Sequence, residues 1–273
     1  DLMRCGIVLA AALVVCFALL LGRLEDFEIA LGLKESKMTS FREHVQRQGR
    51  SALLVGATGA TGSKILQELI NRGDWSRVVV ISRRDPGVQS EKVETIIVKD
   101  MKNDAIDVDK IRGLDHLFVA TGTTRDAAGS ADAFRDIEVG IPENIAKASK
   151  EAGISHASVV SAGGANPDIS FAPKWFHPLW YTKCLGLKER AITQQGFSRV
   201  SIFRPGLLAR EGSDRATEKA LAYIMSSLDV GLLAKAMVND AETTPPPSTP
   251  EEPSIFTGNS LIKKLAASFT PSP

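Results

Sequence analysis

Ser51-Ala-Leu-Leu-Val-Gly-Ala-Thr-Gly-Ala-Thr-Gly62, running straight on into Ser63-Lys-Ile-Leu-Gln-Glu-Leu-Ile70, decides the fold. Ala52 to Val55 is apolar without alternation, which reads as a strand buried on both faces. Gly56, Gly59 and Gly62 then follow at even spacing, and Ile65, Leu66, Leu69 and Ile70 form one helical stripe. Strand, glycine turn and helix start, in that order, make a phosphate site. Gly56 permits the tight turn, Gly59 lets a pyrophosphate approach the backbone, and Gly62 lets helix and strand pack closely. The free N–H groups and the dipole at the helix start favour negative charge. The cradle is thus Gly56, Thr58, Gly59, Ala60, Thr61 and Gly62. An ordinary strand–turn–helix of small residues is the competing reading, and this context disfavours it.

Working outward, Arg77–Ser82, Val93–Val98, Asp115–Ala120, His156–Ser161 and Arg199–Phe203 read as five further strands. Helices are expected over Ser130–Glu151, with Phe134, Ile137, Ile141, Ile145 and Ala148 on one face, and over Tyr181–Gln195. Pro142 should kink the first of these or split it. Strands alternating with helices predict an α/β fold, a doubly wound parallel sheet of Rossmann type with right-handed crossovers. Ligands in such sheets bind at the carboxyl ends of the strands. Beyond Gly206 a helix is expected over Thr217–Ala236, built on Leu221, Ile224, Met225, Leu228, Leu232 and Leu233. The Pro-rich run Thr243–Pro253 reads as an extended linker that closes the domain. Leu261-Ile-Lys-Lys-Leu265 is then a short docking helix or a disordered tail. The sheet domain accordingly spans 51–240, and 241–273 is linker and tail.

Gly6–Gly22 is uncharged and rich in Leu, Val and Ala, flanked by Arg4 and Arg23. At ~1.5 Å per residue it spans about 25 Å, the short end for a membrane helix. A signal peptide is the rival, but no small-x-small cleavage site follows, so 1–22 is read as an N-terminal transmembrane anchor. Arginines on both sides leave its orientation open. Residues 23–50 are charged, with scattered apolar positions, and read as a helical connector or a solvated linker. The composition is 44% hydrophobic and 24% charged, with a net charge of +1, which gives no reason to expect nucleic acid as a partner. The four histidines and three cysteines show no ligand spacing, so no metal site is expected. Cys184 reads as a packing residue rather than a nucleophile.

The second strand ends in Ser82-Arg83-Arg84. Sheets that prefer NAD carry an acidic residue there for the ribose hydroxyls, whereas arginine accommodates a 2′-phosphate. The pair therefore points to NADP(H), with solvated arginines as the bland alternative. Asp100 is placed to accept from the adenine amino group, with Met101 against the ring; a loop-capping aspartate explains Asp100 almost as well.

Gly56-Ala-Thr-Gly-Ala-Thr-Gly62, Ile81-Ser-Arg-Arg84, Ala120-Thr-Gly-Thr-Thr-Arg125 and Ser201-Ile-Phe-Arg-Pro-Gly206 together resemble the atypical short-chain dehydrogenases, most of all the Tat-interacting-protein oxidoreductases. The likeness runs from about Ser51 to Arg210. It implies NADPH on the glycine loop, Arg83, Arg84, Thr121, Gly122, Tyr181 and the segment from Pro205 to Leu207. It also implies a catalytic serine after the fifth strand and a tyrosine with a lysine four residues later. Ser161 and Tyr181 fill the first two places, but the third holds Leu185. Tyrosine has an ordinary pKa of ~10, and a cation one helical turn away would draw it toward neutrality. Lys183 lies on another face of the helix and Lys188 two turns along.

The loop 162–180 is longer than the family's and carries Phe171-Ala-Pro-Lys-Trp-Phe-His-Pro-Leu-Trp180. It reads as a docking surface for protein partners in preference to a substrate lid, the C-terminal tail being a second such surface. Two functions follow. One is a membrane-anchored NADP(H)-binding dehydrogenase-like protein with little or no turnover, an accessory subunit of a membrane assembly. By architecture alone it is similar to the dehydrogenase-like accessory subunit of respiratory complex I. The other is an active NADPH-dependent oxidoreductase tethered to a membrane. The mitochondrial inner membrane and the endoplasmic reticulum are the compartments considered.

Overall fold

The computed structural model describes residues 49–209 and 227–268. The expected anchor (1–22) and almost all of the connector (23–50) lie outside them. Arg50, counted with the connector, instead opens the first strand opposite Trp75. Among the described residues no helix is long and apolar enough to cross a membrane.

Strands β1 (Arg50–Val55), β2 (Trp75–Ser82), β3 (Val93–Ile97), β4 (His116–Val119), β5 (His156–Val160) and β6 (Arg199–Arg204) lie within one or two residues of the expected bounds. With β7 and β8 set aside as a separate two-residue ladder (Leu208–Ala209 with Leu228–Asp229), a ninth strand, β9 (Ser254–Thr257), completes the main sheet. That sheet has the order β3-β2-β1-β4-β5-β6-β9 and every pairing in it is parallel. The order reverses at β1 and β4, the switch point where a doubly wound sheet opens a crevice.

Alternation within the strands sorts the core into two layers. Leu53, Val55, Val79, Ile81, Leu117, Val119 and Ile202 face one side, where they meet Ile145 of α5 (Ile141–Glu151) and Ile192 of α6 (His177–Thr193). Ala52, Leu54, Val78, Val80, Phe118 and Phe203 face the other, against Ile65 and Leu69 of α1 (Ala60–Asn71) and Met237 of α7 (Val230–Thr243). Three shorter helices lie between α1 and α5: α2 (Val108–Ile111), α3 (Arg125–Ala128) and α4 (Ala131–Arg135).

The expected helix over Ser130–Glu151 is split, as Pro142 required. Ser130 caps α4, accepting from the N–H of Ala133 at 3.0 Å. A π-helical turn, Asp136–Gly140, follows before α5 begins with Pro142 in its first turn. Proline cannot donate the i→i−4 bond to Glu138, so the chain widens just upstream of it.

Two expectations near the C-terminus need correcting. The helix placed over Thr217–Ala236 falls partly outside the described residues; its visible part starts at Val230 and runs on to Thr243. Leu228 is a strand residue, and Asp229 sets the start by accepting from the N–H groups of Gly231 and Leu232 at 2.8 and 3.1 Å. The domain also does not close at 240. The Pro-rich run leads into β9 (Ser254–Thr257), which pairs with β6, and into α8 (Asn259–Ala267), whose Ile262 is fully buried. A four-residue strand at a sheet edge tolerates the neighbouring Pro253, and Phe256 stacks on Phe203 at 4.8 Å.

Candidate dinucleotide site

At the carboxyl ends of β1, β2 and β4 lies a cavity of about 530 Å³. Its wall contains Gly56, Thr58, Gly59, Arg83, Arg84, Met101, Thr121 and Gly122, eight of the residues expected from the sequence. Gly56 adopts φ +93°, and a Cβ there would stand 2.5 Å from the carbonyl oxygen of Ala120. A Cβ on Gly62 would overlap the carbonyl of Gly56, so the helix can approach β1 only without a side chain. The N–H of Gly59 donates to Gly56 O at 2.9 Å, closing the turn. Gly59 is also the N-cap of α1 and offers no side chain to the helix. The first-turn N–H groups of Ala60, Thr61 and Gly62 therefore lack an intrahelical acceptor.

The wall fits a dinucleotide on a second count. Thr121 is 8% exposed, and its Oγ1 has no hydrogen-bond partner among the described residues. An orphaned buried hydroxyl of this kind costs about 1–3 kcal/mol unless a ligand satisfies it. Arg83 and Arg84 stand exposed at the end of β2, on the rim where a 2′-phosphate would lie.

Asp100 does not line the cavity although Met101 does. Its carboxylate accepts from the backbone N–H groups of Lys102 and Asn103 (3.2 Å each) and from the Asn103 amide (2.7 Å). The Asn103 amide holds it below the usual carboxylate range. This is the loop-capping role that the sequence left open.

The two catalytic candidates lie away from the cavity wall. Ser161 directly follows β5, and its Oγ donates to Glu189 of α6 at 2.5 Å. Glu189 is itself clamped by the guanidinium of Arg204, through Nε at 2.8 Å and Nη2 at 2.5 Å. Tyr181 lies on α6 in ring contact with Phe134 (6.0 Å) and His177 (5.8 Å). The place one turn beyond it is filled by Leu185, 3% exposed. Lys188 is buried too, and its Nζ meets Glu138 Oε2 at 2.8 Å. Pro205 and Leu207, expected at the cofactor, are not among the residues of the cavity wall; their carbonyls accept from the N–H groups of Gly163 and Leu228 at 2.9 Å each. Cys184 is fully buried, with its thiol pushed up to about 11 by that burial, as befits a packing residue.

Sequence reading missed Ile81, Ser82, Ala120, Ile137 and Ile141 in the cavity wall. Ile137 and Ile141 stood out as part of a helical stripe, which signals burial without saying against what. Glu189 carried no signal; only the fold brings it to Ser161.

The aromatic loop is fixed at both ends. Arg125 donates to Lys174 O at 2.7 Å, Lys174 pairs with Asp132 at 2.6 Å, and Arg190 pairs with Asp168 at 2.5 Å. Phe171 and Trp175 are about three-quarters exposed and Phe176 is also open. Trp180, expected in the same surface, is instead buried in α6 and donates to Ala131 O at 3.0 Å.

Residues 56–242 match the family described as NAD(P)H-binding. The mitochondrial protein FMP52-1 of Scheffersomyces stipitis is 38% identical over 184 residues, 67% of this chain and 75% of that protein. The mitochondrial protein fmp52 of Aspergillus fumigatus is 32% identical over 205 residues, covering 68% and 84%. Among solved structures, Gre2 of Candida albicans in complex with NADPH superposes with a TM-score of 0.59 at 12% identity, covering 82% of this chain and 95% of that one. The oxidoreductase ylbE of Lactococcus lactis gives 0.57 at 15%, covering 82% and 99%. At such identities these two speak for the fold alone. Sequence match, glycine cradle and switch-point cavity agree, and the chain belongs to the NAD(P)H-binding family of atypical short-chain-dehydrogenase-like proteins, with the fungal mitochondrial FMP52 proteins among its relatives.

Proposed function

We propose that this protein binds NADPH in preference to NADH and reduces carbonyl substrates weakly or not at all, serving as an accessory component of a mitochondrial membrane assembly. The observation that carries the reading is Leu185, buried one turn beyond Tyr181 where a cation would be needed. A leucine there cannot supply the charge by which a cation one turn along a helix stabilises a phenolate. The Ser161 hydroxyl is committed as well, since it donates its hydrogen bond to Glu189. When bound, NADPH would supply a hydride; this chain supplies the cradle, the arginines and a tyrosine with leucine in place of the family's lysine one turn on.

Arg83 and Arg84 support the preference for the 2′-phosphate. The exposed Phe171, Trp175 and Phe176 support a partner-binding role, because a soluble surface seldom carries three such rings on one tethered loop. The names of the relatives support the mitochondrial setting. The membrane anchor at Gly6–Gly22 and the closer likeness to Tat-interacting-protein oxidoreductases rest on sequence alone.

The test is turnover of wild type, Leu185→Lys and Tyr181→Phe on a panel of aldehydes and quinones with NADPH. Loss of one positioned acid–base partner typically costs ~10²–10⁴ in rate. Wild type should be slow, Leu185→Lys faster, and Tyr181→Phe little changed from wild type. Brisk wild-type turnover abolished by Tyr181→Phe would establish an active NADPH-dependent reductase instead.

A further inference from the structure

Glu138 and Lys188 form a charge pair inside the domain, 2.8 Å apart, with side chains only 3% and 2% exposed. The carboxylate is divided between two tasks. Oε2 takes the ammonium of Lys188, while Oε1 accepts the backbone N–H of Thr123 at 2.9 Å. Thr123 directly follows Thr121 and Gly122, both in the cavity wall. Glu138 itself stands in the π-helical turn beside Ile137, and Ile141 follows that turn; both isoleucines line the same cavity.

A buried ion pair is poor evidence of added stability, since an apolar pair of similar volume often serves as well. What an apolar pair cannot do is accept the N–H of a cavity loop. An amide left without an acceptor would open the loop toward water. We propose that Glu138, braced by Lys188, is a positioning residue that holds the Thr121–Thr123 loop in the shape the dinucleotide requires and so sets its affinity. The buried lysine of α6 thus braces the cofactor loop, while the place one turn beyond Tyr181 holds a leucine. The inference rests on the cavity being the dinucleotide site.

Two charge-free double variants separate this role from simple packing. Glu138→Gln with Lys188→Met keeps an amide oxygen for the Thr123 N–H, whereas Glu138→Leu with Lys188→Met removes it. NADPH affinity is read by titration on the full chain, together with the melting temperature. The Gln/Met variant should bind within about threefold of wild type, and the Leu/Met variant about tenfold more weakly at a similar melting temperature, the loss expected for one hydrogen bond. Equal affinities for the two would overturn the proposal. Hydrogen exchange at the Thr123 amide of wild type without NADPH needs no variant to fold, and protection is expected. Fast exchange there with NADPH binding intact would refute the pair's role alone. A protected Thr123 in a protein that binds no dinucleotide would refute the assignment of the cavity, and this role with it.

Discussion

Acid should loosen this domain through two buried imidazoles at the amino end of the sheet. His116 and His156 are 3% and 1% exposed and in edge-to-face contact at 4.1 Å. Their Nε2 atoms meet Ser158 and Ser201 at 3.0 and 2.9 Å. Burial holds both well below the ordinary 6.5, and Arg199 and Arg50 act in the same direction. Asp240 lies 3.9 Å from His156, but its carboxylate is already taken by Arg199 at 2.6 Å and Ser201 at 2.7 Å. Because the folded pKa values lie below the unfolded one, the unfolded chain binds protons first as pH falls through 6.5. Stability is therefore lost on acidification. Between pH 7 and 5.5 the loss is about 1.2 kcal/mol per histidine, or about 2.5 kcal/mol for the pair. Asp240 and Glu242 are raised by burial and pull the other way, so this figure is a ceiling that holds best above pH 5.5. The assay is urea unfolding across pH 5.5–7.5 for wild type and His116→Gln/His156→Gln, read as the difference in slope against pH. A double variant that keeps the wild-type slope would refute the reasoning, whatever its absolute stability.

Gly62→Ala should abolish NADPH binding while leaving a folded, destabilised domain, because its Cβ would overlap the Gly56 carbonyl; titration and a thermal melt decide. Arg83→Ala/Arg84→Ala should weaken NADPH about tenfold and leave NADH unchanged, the low end for charge-assisted bonds since both side chains are exposed. Equal wild-type affinities for the two cofactors would defeat the assignment. Cys184 should resist alkylation at pH 8 until the chain is unfolded, since the thiol is buried and raised to about 11; peptide mapping of labelled protein checks it.

Strands that lie in the middle of the sheet were legible because parallel packing buries both faces. Val78 to Ile81 is fully buried, and such a continuous apolar run marks a parallel strand. The edge was not legible for the converse reason. In β9 only alternate residues turn inward, Ile255 is 45% exposed, and the strand follows five prolines in ten residues, so local composition outweighed a four-residue signal. The start of α7 was misplaced because an apolar stripe has no beginning. Asp229, a good cap in plain view, fixes it only once Leu228 is engaged in β8.

The site divides along the same line. Its cradle was legible because glycines there answer to backbone geometry within one strand–turn–helix unit, and Gly56 and Gly62 each face a carbonyl that leaves no room for a Cβ. The chemistry beside it was not, because it is made by distant segments. Ser161 was identifiable from its place after β5, yet the group that accepts its hydrogen bond comes from α6 and is itself held by β6 through Arg204. Lys188 was visible as a cation two turns beyond Tyr181, but its partner, Glu138, comes from the π-helical turn that Pro142 forces fifty positions upstream. A helix of uniform pitch over Ser130–Glu151 would carry Glu138 and Ile141 on a different course. The unusual turn therefore links α6 to the cavity wall: it brings a carboxylate to the one buried cation described on α6, and the same carboxylate reaches Thr123, next to Gly122 in that wall.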